Sequence, residues 1–341
     1  MTNALTTFPL STWQQDLKRA ITDPDELLKI LGLDAALAAP ARNATSAFGL
    51  RVTRSYLSRM RRGDANDPLL RQVLPLADEL LETPGYGADP LLEHESTLAP
   101  GLLQKYEGRA LLITTQACAI HCRYCFRREF PYSAQAETAE EGATRFRAAL
   151  DRVAADTSIE EIILSGGDPL SLSDARLTKI TEAIAGIRHV QRIRVHTRQP
   201  IVLPSRVDDG LISWLQGIQR PTVFVLHTNH PNELDSEVRA ACAKLRRAGV
   251  TLLNQSVLLR GVNDDVATLA DLSRALMDAG VVPYYLHLLD RVRGTAHFDV
   301  AEAEAQRLIE ALSARLSGYL VPRLVREVPG APYKVPSIHS A

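Results

Sequence analysis

Six short apolar runs, at 110–115, 161–165, 192–197, 222–228, 251–258 and 281–288, constrain the fold of this chain more than any other feature. Helical stretches at 137–155, 174–187, 233–248 and 264–279 lie between them. The repeat is about 30 residues, the length of one strand–helix unit. Strands joined through helices run parallel, because only antiparallel neighbours can be joined by a tight hairpin. An α/β fold follows, its sheet either open or curled into a barrel. A helical stretch at 300–317 and a β-like tail at 320–328 come after the sixth run. The first hundred residues read as helices and loops. Residues 13–21 have helical spacing, Asp23 and Pro24 form a cap and first helical position for 27–31, and 55–60 is a shorter candidate. The Gly- and Pro-rich stretch 83–90 reads as a loop.

The unusual polar groups cluster at the C-terminal ends of these runs. A cysteine cluster follows the first, and Gly166-Gly167-Asp168-Pro169 follows the second. His196-Thr197-Arg198 closes the third, His227-Thr228-Asn229-His230 closes the fourth, and Asp290 follows the sixth. Both open and closed α/β sheets bind ligands at that edge. Asn254, Gln255 and Ser256 lie inside the fifth run, so at least one of them faces a polar interior.

The chain of 341 residues has 4 cysteines, and three of them, Cys118, Cys122 and Cys125, fall within eight residues. A secreted disulfide scaffold would carry more, spread more evenly, so reduced thiols in a cytoplasm are expected. The formal net charge of −1 argues against general nucleic-acid binding. No leader segment is visible at 1–10, and no apolar run is long enough to span a membrane. The C-x3-C-x2-C spacing lets three thiolates reach three irons of a [4Fe–4S] cube, leaving the fourth iron open for chemistry. A structural zinc would need four closed ligands, and His121 is awkwardly placed in the loop to complete them. A shared helix face is the plainer account of the spacing, but Arg123 and Tyr124 interrupt it. Cys242, within an Ala-rich helical stretch, reads as packing.

The cysteine triplet with Tyr124 before its last member resembles the signature of the radical S-adenosylmethionine superfamily. Gly166, Gly167 and Asp168 resemble its glycine-rich motif, which meets the methionine amino group. The match narrows at Cys122-Arg-Tyr-Cys-Phe-Arg-Arg128, Ser165-Gly-Gly-Asp-Pro-Leu170, Arg198-Gln-Pro-Ile-Val-Leu-Pro204, His230-Pro-Asn-Glu233 and Asn254-Gln-Ser-Val-Leu-Leu-Arg-Gly-Val-Asn263. These stretches are similar to the lysine 2,3-aminomutase family across roughly 90–336. Residues 22–28, 67–73 and 317–322 resemble its shorter branch, which serves the β-lysylation of elongation factor P.

The resemblance implies a partial (β/α)6 TIM-like barrel of the radical S-adenosylmethionine type with a helical N-terminal extension. The expected division is a helical region at 1–100, the core barrel at 101–318 and a C-terminal tail at 319–341. It implies a [4Fe–4S] cluster on Cys118, Cys122 and Cys125, S-adenosylmethionine, and pyridoxal 5′-phosphate held as a Schiff base by Lys334. Without the family, Lys334 reads as a surface lysine in a Gly/Pro-rich turn. Arg109 matches a position that meets the cofactor phosphate, with Tyr106 as its neighbour and Gln255 in the same pocket. Arg127 matches the partner of the substrate carboxylate, and a planar guanidinium suits that role. Asp290 and Glu327 match the two acids that receive the distal ammonium of L-lysine; the second is Asp in lysine-degrading relatives. Those relatives also extend further and carry a structural zinc, which is not expected here.

The implied activity is isomerisation of L-lysine to (R)-β-lysine, with an electron donor such as flavodoxin or ferredoxin. A separate ligase would attach the product to elongation factor P, and a homodimer is one possible assembly. The competing expectations are a radical enzyme of another class without pyridoxal phosphate, an aminomutase for another amino acid, and a non-enzymatic metal module with closed zinc.

Overall fold

The structure, a computed structural model, describes residues 12–130 and 139–337. Residues 1–10, where no leader segment was expected, the first two residues of the helix expected at 137–155 and the end of the tail at 319–341 lie outside the described residues. The six expected strands are present and consecutive: β3 (Arg109–Thr115), β4 (Glu161–Gly166), β5 (Arg192–Thr197), β6 (Thr222–Leu226), β7 (Thr251–Val257) and β8 (Val282–His287). Each pairs in parallel with the next.

Three features extend that frame. A hairpin of β1 (Thr97–Ala99) and β2 (Leu102–Tyr106) adds antiparallel to β3, where helices and loops were expected up to residue 100. Strands of 3 and 5 residues are too short to display a period. The β-like tail becomes β9 (Arg323–Arg326), a seventh parallel strand on β8. β10 (Val335–Pro336) then turns back antiparallel on β9 after a turn in which Gly330 has φ of 76°. Such a positive φ suits glycine, which carries no Cβ. This return places Lys334 directly beside the sheet.

Helices Ala139–Ala155, Asp174–Ala185, Asp209–Gly217, Ser236–Arg247, Val266–Asp278 and Glu302–Ser313 follow β3 to β8 in turn. The third was not anticipated; it starts where Asp208 accepts a hydrogen bond from Leu211 N at 2.9 Å. In the N-terminal layer, helix Pro24–Leu31 forms behind its Asp23 cap as expected and buries Leu27, Leu28 and Leu31. The stretch 13–21 is helical only over Thr12–Lys18, and Ile21 instead bridges to Val52. The candidate at 55–60 is a single turn, Arg54–Leu57.

Strand alternation divides the sheet into two faces. Ala110, Leu112, Ile162, Leu164, Ile193, Val195, Phe224 and Leu252 pack outward under helices. That core is continuous with Trp13, Leu27, Tyr56 and Leu70 of the N-terminal layer. The opposite face curls around a cavity of about 580 Å³. Arg109, Ser165, His196, Gln255, Tyr285, His287 and Val325 point into it. No helix among the described residues is long and apolar enough to cross a membrane.

Candidate active site

The cavity has a sulfur end and an amine end. Cys118, Cys122 and Cys125 lie on the loop after β3 and line the first. Burial pushes the thiols of Cys118 and Cys125 up, that of Cys125 to about 11. Cys122 and Cys125 act electrostatically on the Cys118 thiol, so the three sulfurs are neighbours, and a cube would give each thiolate its own iron. His121 turns away; its Nδ1 lies 2.8 Å from Gly49 O and its ring stacks on Phe48. Cys242 is buried in the apolar core, where desolvation pushes its thiol up to about 12.

The N-terminal layer clamps the cysteine loop. Arg123 N donates to Gln72 O at 2.9 Å and His121 N to Arg51 O at 2.9 Å. The buried Glu79 carboxylate accepts from Arg123 Nε at 2.8 Å and from Arg128 Nη2 at 2.7 Å. On the other side, Gly166 and Gly167 approach the strand that enters the loop. A Cβ on Gly167 would lie 2.5 Å from Ala117 O, and one on Gly166 would lie 2.5 Å from Thr115 O. Only glycine permits this contact. Asp168 lines the cavity, but its carboxylate is occupied: it accepts from Leu170 N at 3.0 Å, Thr197 Oγ1 at 2.7 Å and Arg198 N at 2.7 Å. It ties the end of β4 to the end of β5.

At the amine end, Lys334 Nζ lies 3.1 Å from His287 Nε2 and 3.7 Å from Glu327 Oε2. Its ammonium sits 5.2 Å from the centre of the Tyr285 ring. Burial lowers the Lys334 amine below its ordinary value, against the opposing pull of Glu327 and Asp290. His196, His227 and His287 are held neutral chiefly by desolvation. Gln255 Nε2 lies 3.2 Å from His227 Nε2. The Arg109 guanidinium stacks 4.6 Å over the Tyr106 ring. The buried Tyr106 hydroxyl has no hydrogen-bond partner, and neither does His196 Nε2. A buried donor left unpaired is costly, so these atoms suit a bound polar or anionic group.

A chain of alternating charges joins the two ends. Arg127 donates from Nε and Nη2 to the Glu93 carboxylate, both at 2.8 Å, and from Nη1 to Ser165 Oγ at 3.2 Å. Lys105 Nζ lies 3.0 Å from Glu93 Oε1 and 2.7 Å from Glu327 Oε1. Burial works against the charge on Glu93, but Arg127 and Lys105 more than offset it and hold the carboxyl below the usual range. Glu327 is likewise held low against burial, by Lys334 and Lys105. Asp290 goes the other way, pushed up to about 7 by burial and by repulsion from Glu327.

Every residue expected at the site thus lines one cavity. Sequence reasoning missed Glu93, Lys105, His287 and the wiring of Arg198. His287 ends β8 at the edge where the other polar groups cluster, and Arg198, part of the group that closes the third run, gives no local sign of its partners. Glu93 and Lys105 precede the repeat and carry no signal of their own.

A model of the radical SAM superfamily matches residues 112–272. L-lysine 2,3-aminomutase from Escherichia coli K12 is 49% identical over 95% of this chain and 94% of its own length. The chain belongs to the L-lysine 2,3-aminomutase family. The namesake protein of Haemophilus influenzae is 43% identical, covering 94% of each chain. That of Clostridium subterminale is 35% identical over 95% of this chain and 77% of its own. Radical SAM membership brings a [4Fe–4S] cluster and S-adenosylmethionine, and the sulfur end fits both. Three thiols on one loop can hold the cube, and Gly166 and Gly167 line the same cavity.

Proposed function

We propose that this chain is an L-lysine 2,3-aminomutase that converts L-lysine to (R)-β-lysine, with pyridoxal 5′-phosphate carried on Lys334. The observation that carries the reading is one cavity shared by three thiols, a buried lysine amine and two carboxylates suited to a distal ammonium. S-adenosylmethionine at the reduced cluster would supply a carbon radical, and pyridoxal phosphate an electron sink for the migrating nitrogen.

The protein binds, orients and excludes water. Lys334 is desolvated, so its ammonium gives up its proton more readily than an exposed lysine, and the neutral His287 ring 3.1 Å away can orient the resulting nucleophilic amine by a hydrogen bond at Nε2. Arg109 and the unpartnered Tyr106 hydroxyl supply donors for a phosphate. Gln255 holds the His227 ring in the same cavity. Gly166, Gly167 and Tyr124 shape the sulfur end for S-adenosylmethionine, with Asp168 holding the strand ends that frame it. Arg127, oriented by Glu93, would meet the substrate carboxylate across the Nη1 edge that contacts Ser165. Glu327 and Asp290 would receive the distal ammonium, a charge pattern that favours lysine over an amino acid with an anionic end. Leu103, Leu111, Ile163 and Val257 wall the cavity and keep water from a radical.

Within the same proposal, the protein is cytoplasmic and takes electrons from a flavodoxin or ferredoxin. Its β-lysine serves a ligase that modifies elongation factor P, and the chain can pair as a homodimer. The test is anaerobic incubation of the reconstituted protein with L-lysine, S-adenosylmethionine and reductant, followed by chiral analysis. (R)-β-lysine is expected. Its absence from protein replete in iron and pyridoxal phosphate would overturn the activity.

A further inference from the structure

Arg198 is the most heavily wired side chain near the cysteines, and nothing in the proposed lysine chemistry uses it. It follows β5, and its side chain is 7% exposed. Nη1 donates to Cys122 Sγ at 2.8 Å and to Tyr124 Oη at 2.7 Å. Nη2 donates to Gln72 Oε1 at 2.7 Å, Glu233 Oε2 at 2.8 Å and Tyr56 Oη at 3.2 Å. These partners are themselves held. Glu233 Oε1 accepts from Asn229 N at 2.9 Å and Gln72 Nε2 at 3.2 Å, and Tyr124 Oη accepts from Asn229 Nδ2 at 2.7 Å. The guanidinium is therefore fixed from three directions: the N-terminal layer, the cysteine loop and the loop after β6. Among the described residues no other side-chain cation donates a hydrogen bond to a cysteine sulfur.

We propose that Arg198 is a positioning residue that acts through Cys122 to raise the reduction potential of the cluster, and that the N-terminal layer holds it in place through Tyr56 and Gln72. Reduction adds one negative charge to the cube and its thiolates. A buried cation that donates to one of those sulfurs stabilises the reduced form more than the oxidised form. The field is strong because the site is desolvated. Tyr56 and Gln72 give the helical layer a part in the electronics of the site beyond packing. This inference rests on the reading that Cys118, Cys122 and Cys125 carry a [4Fe–4S] cluster.

The test uses the full chain reconstituted anaerobically as wild type, Arg198→Gln, Arg198→Lys and Tyr56→Phe. Iron and sulfide content is measured, and then the potential by a redox titration followed by electron paramagnetic resonance, without S-adenosylmethionine or lysine. Arg198→Gln should lower the reduced-to-oxidised ratio at fixed poise at least tenfold, about 59 mV for one electron. Arg198→Lys keeps the charge but loses the fork, so it should shift less in the same direction. Tyr56→Phe removes one of the acceptors that hold the guanidinium, so it should shift the ratio in the same direction as Arg198→Gln by about threefold, and an unchanged ratio overturns the part assigned to the N-terminal layer. An Arg198→Gln ratio within threefold of wild type, with a full cluster, overturns the proposal. So does a Tyr56→Phe shift as large as that of Arg198→Gln, or failure of both Arg198 variants to assemble a cluster, which would make the residue a structural anchor. A wild-type protein that cannot hold about four irons would remove the cluster reading itself, and the inference with it.

Discussion

Asp290 and Glu327 lie in the same cavity yet hold opposite protonation tendencies, and two cations close to Glu327 explain the difference: Lys334, the stronger influence, and Lys105. The Lys105 ammonium sits 2.7 Å from Glu327, which stays charged, while Asp290 is pushed up to about 7. An arriving ammonium would favour the Asp290 carboxylate, so binding must release a proton wherever Asp290 is protonated beforehand. Affinity for lysine should therefore be level above pH of about 7 and fall about tenfold per unit below it. The nearby His196, His227 and His287 are neutral throughout that window, and Glu327 and Glu93 stay charged. Asp290→Asn should weaken binding and flatten the profile, measured by titration calorimetry across pH on the loaded protein. A profile unchanged by the substitution would remove Asp290 from the ammonium site. Lys334→Ala should abolish retention of pyridoxal phosphate through gel filtration and its absorbance on the protein, while iron content stays at the wild-type level. Cofactor retained at wild-type stoichiometry would place the attachment elsewhere.

The elements bring these residues together by ending in the same place. Parallel strands all deliver their C-terminal ends to one edge, so the loop after β3, the turn after β4 and the ends of β5 to β8 meet there. The tightest meeting is between the glycine turn and the cysteine loop, where a Cβ on Gly167 would lie 2.5 Å from Ala117 O and 2.6 Å from the carbonyl carbon of Gln116. Gly167→Ala should cost about 1–3 kcal/mol by forcing backbone apart. It should also lower iron retention after desalting by at least half, with the far-ultraviolet circular dichroism unchanged. Full iron retention would show that the contact is slack. At the other edge, β9 and β10 are needed to bring Lys334 inside. Their pairing of Val335 with Arg326 places the amine beside His287, which no local property of the tail dictates.

At the scale of the whole molecule, the helical layer is part of the site's foundation. Its apolar residues share one core with the sheet, and its polar groups reach the cysteine loop through Glu79 and Gln72 and the Arg198 guanidinium through Tyr56. Glu79 has no exposed side-chain surface and faces two guanidiniums. Glu79→Gln leaves both partly uncompensated, and breaking such a buried pair costs about 3–5 kcal/mol. The expected readout is a lower midpoint in urea denaturation together with faster loss of iron on dilution. A midpoint equal to wild type would show that the layer and the loop are not coupled through this carboxylate.

The repeat of apolar runs determined the parallel sheet, because periodicity is a local property that burial on one or two faces imposes on each strand. Short spacing determined the cysteine triplet for the same reason: three thiols within one loop need no tertiary fold to become neighbours. Family resemblance pointed to the roles of Lys334, Asp290 and Glu327, of which only Asp290 carries a local signal, its place after the sixth run. What only the tertiary structure decided is the company each residue keeps. Glu93 and Lys105 lie before the repeat, and Tyr56 and Gln72 lie far from Arg198 in the chain; each pairing is made by packing across the molecule. Ionisation was equally out of reach. Two carboxylates of the same chemistry diverge because one has a lysine at hydrogen-bonding distance and the other faces burial and a like charge, a difference that exists only once the chain has folded.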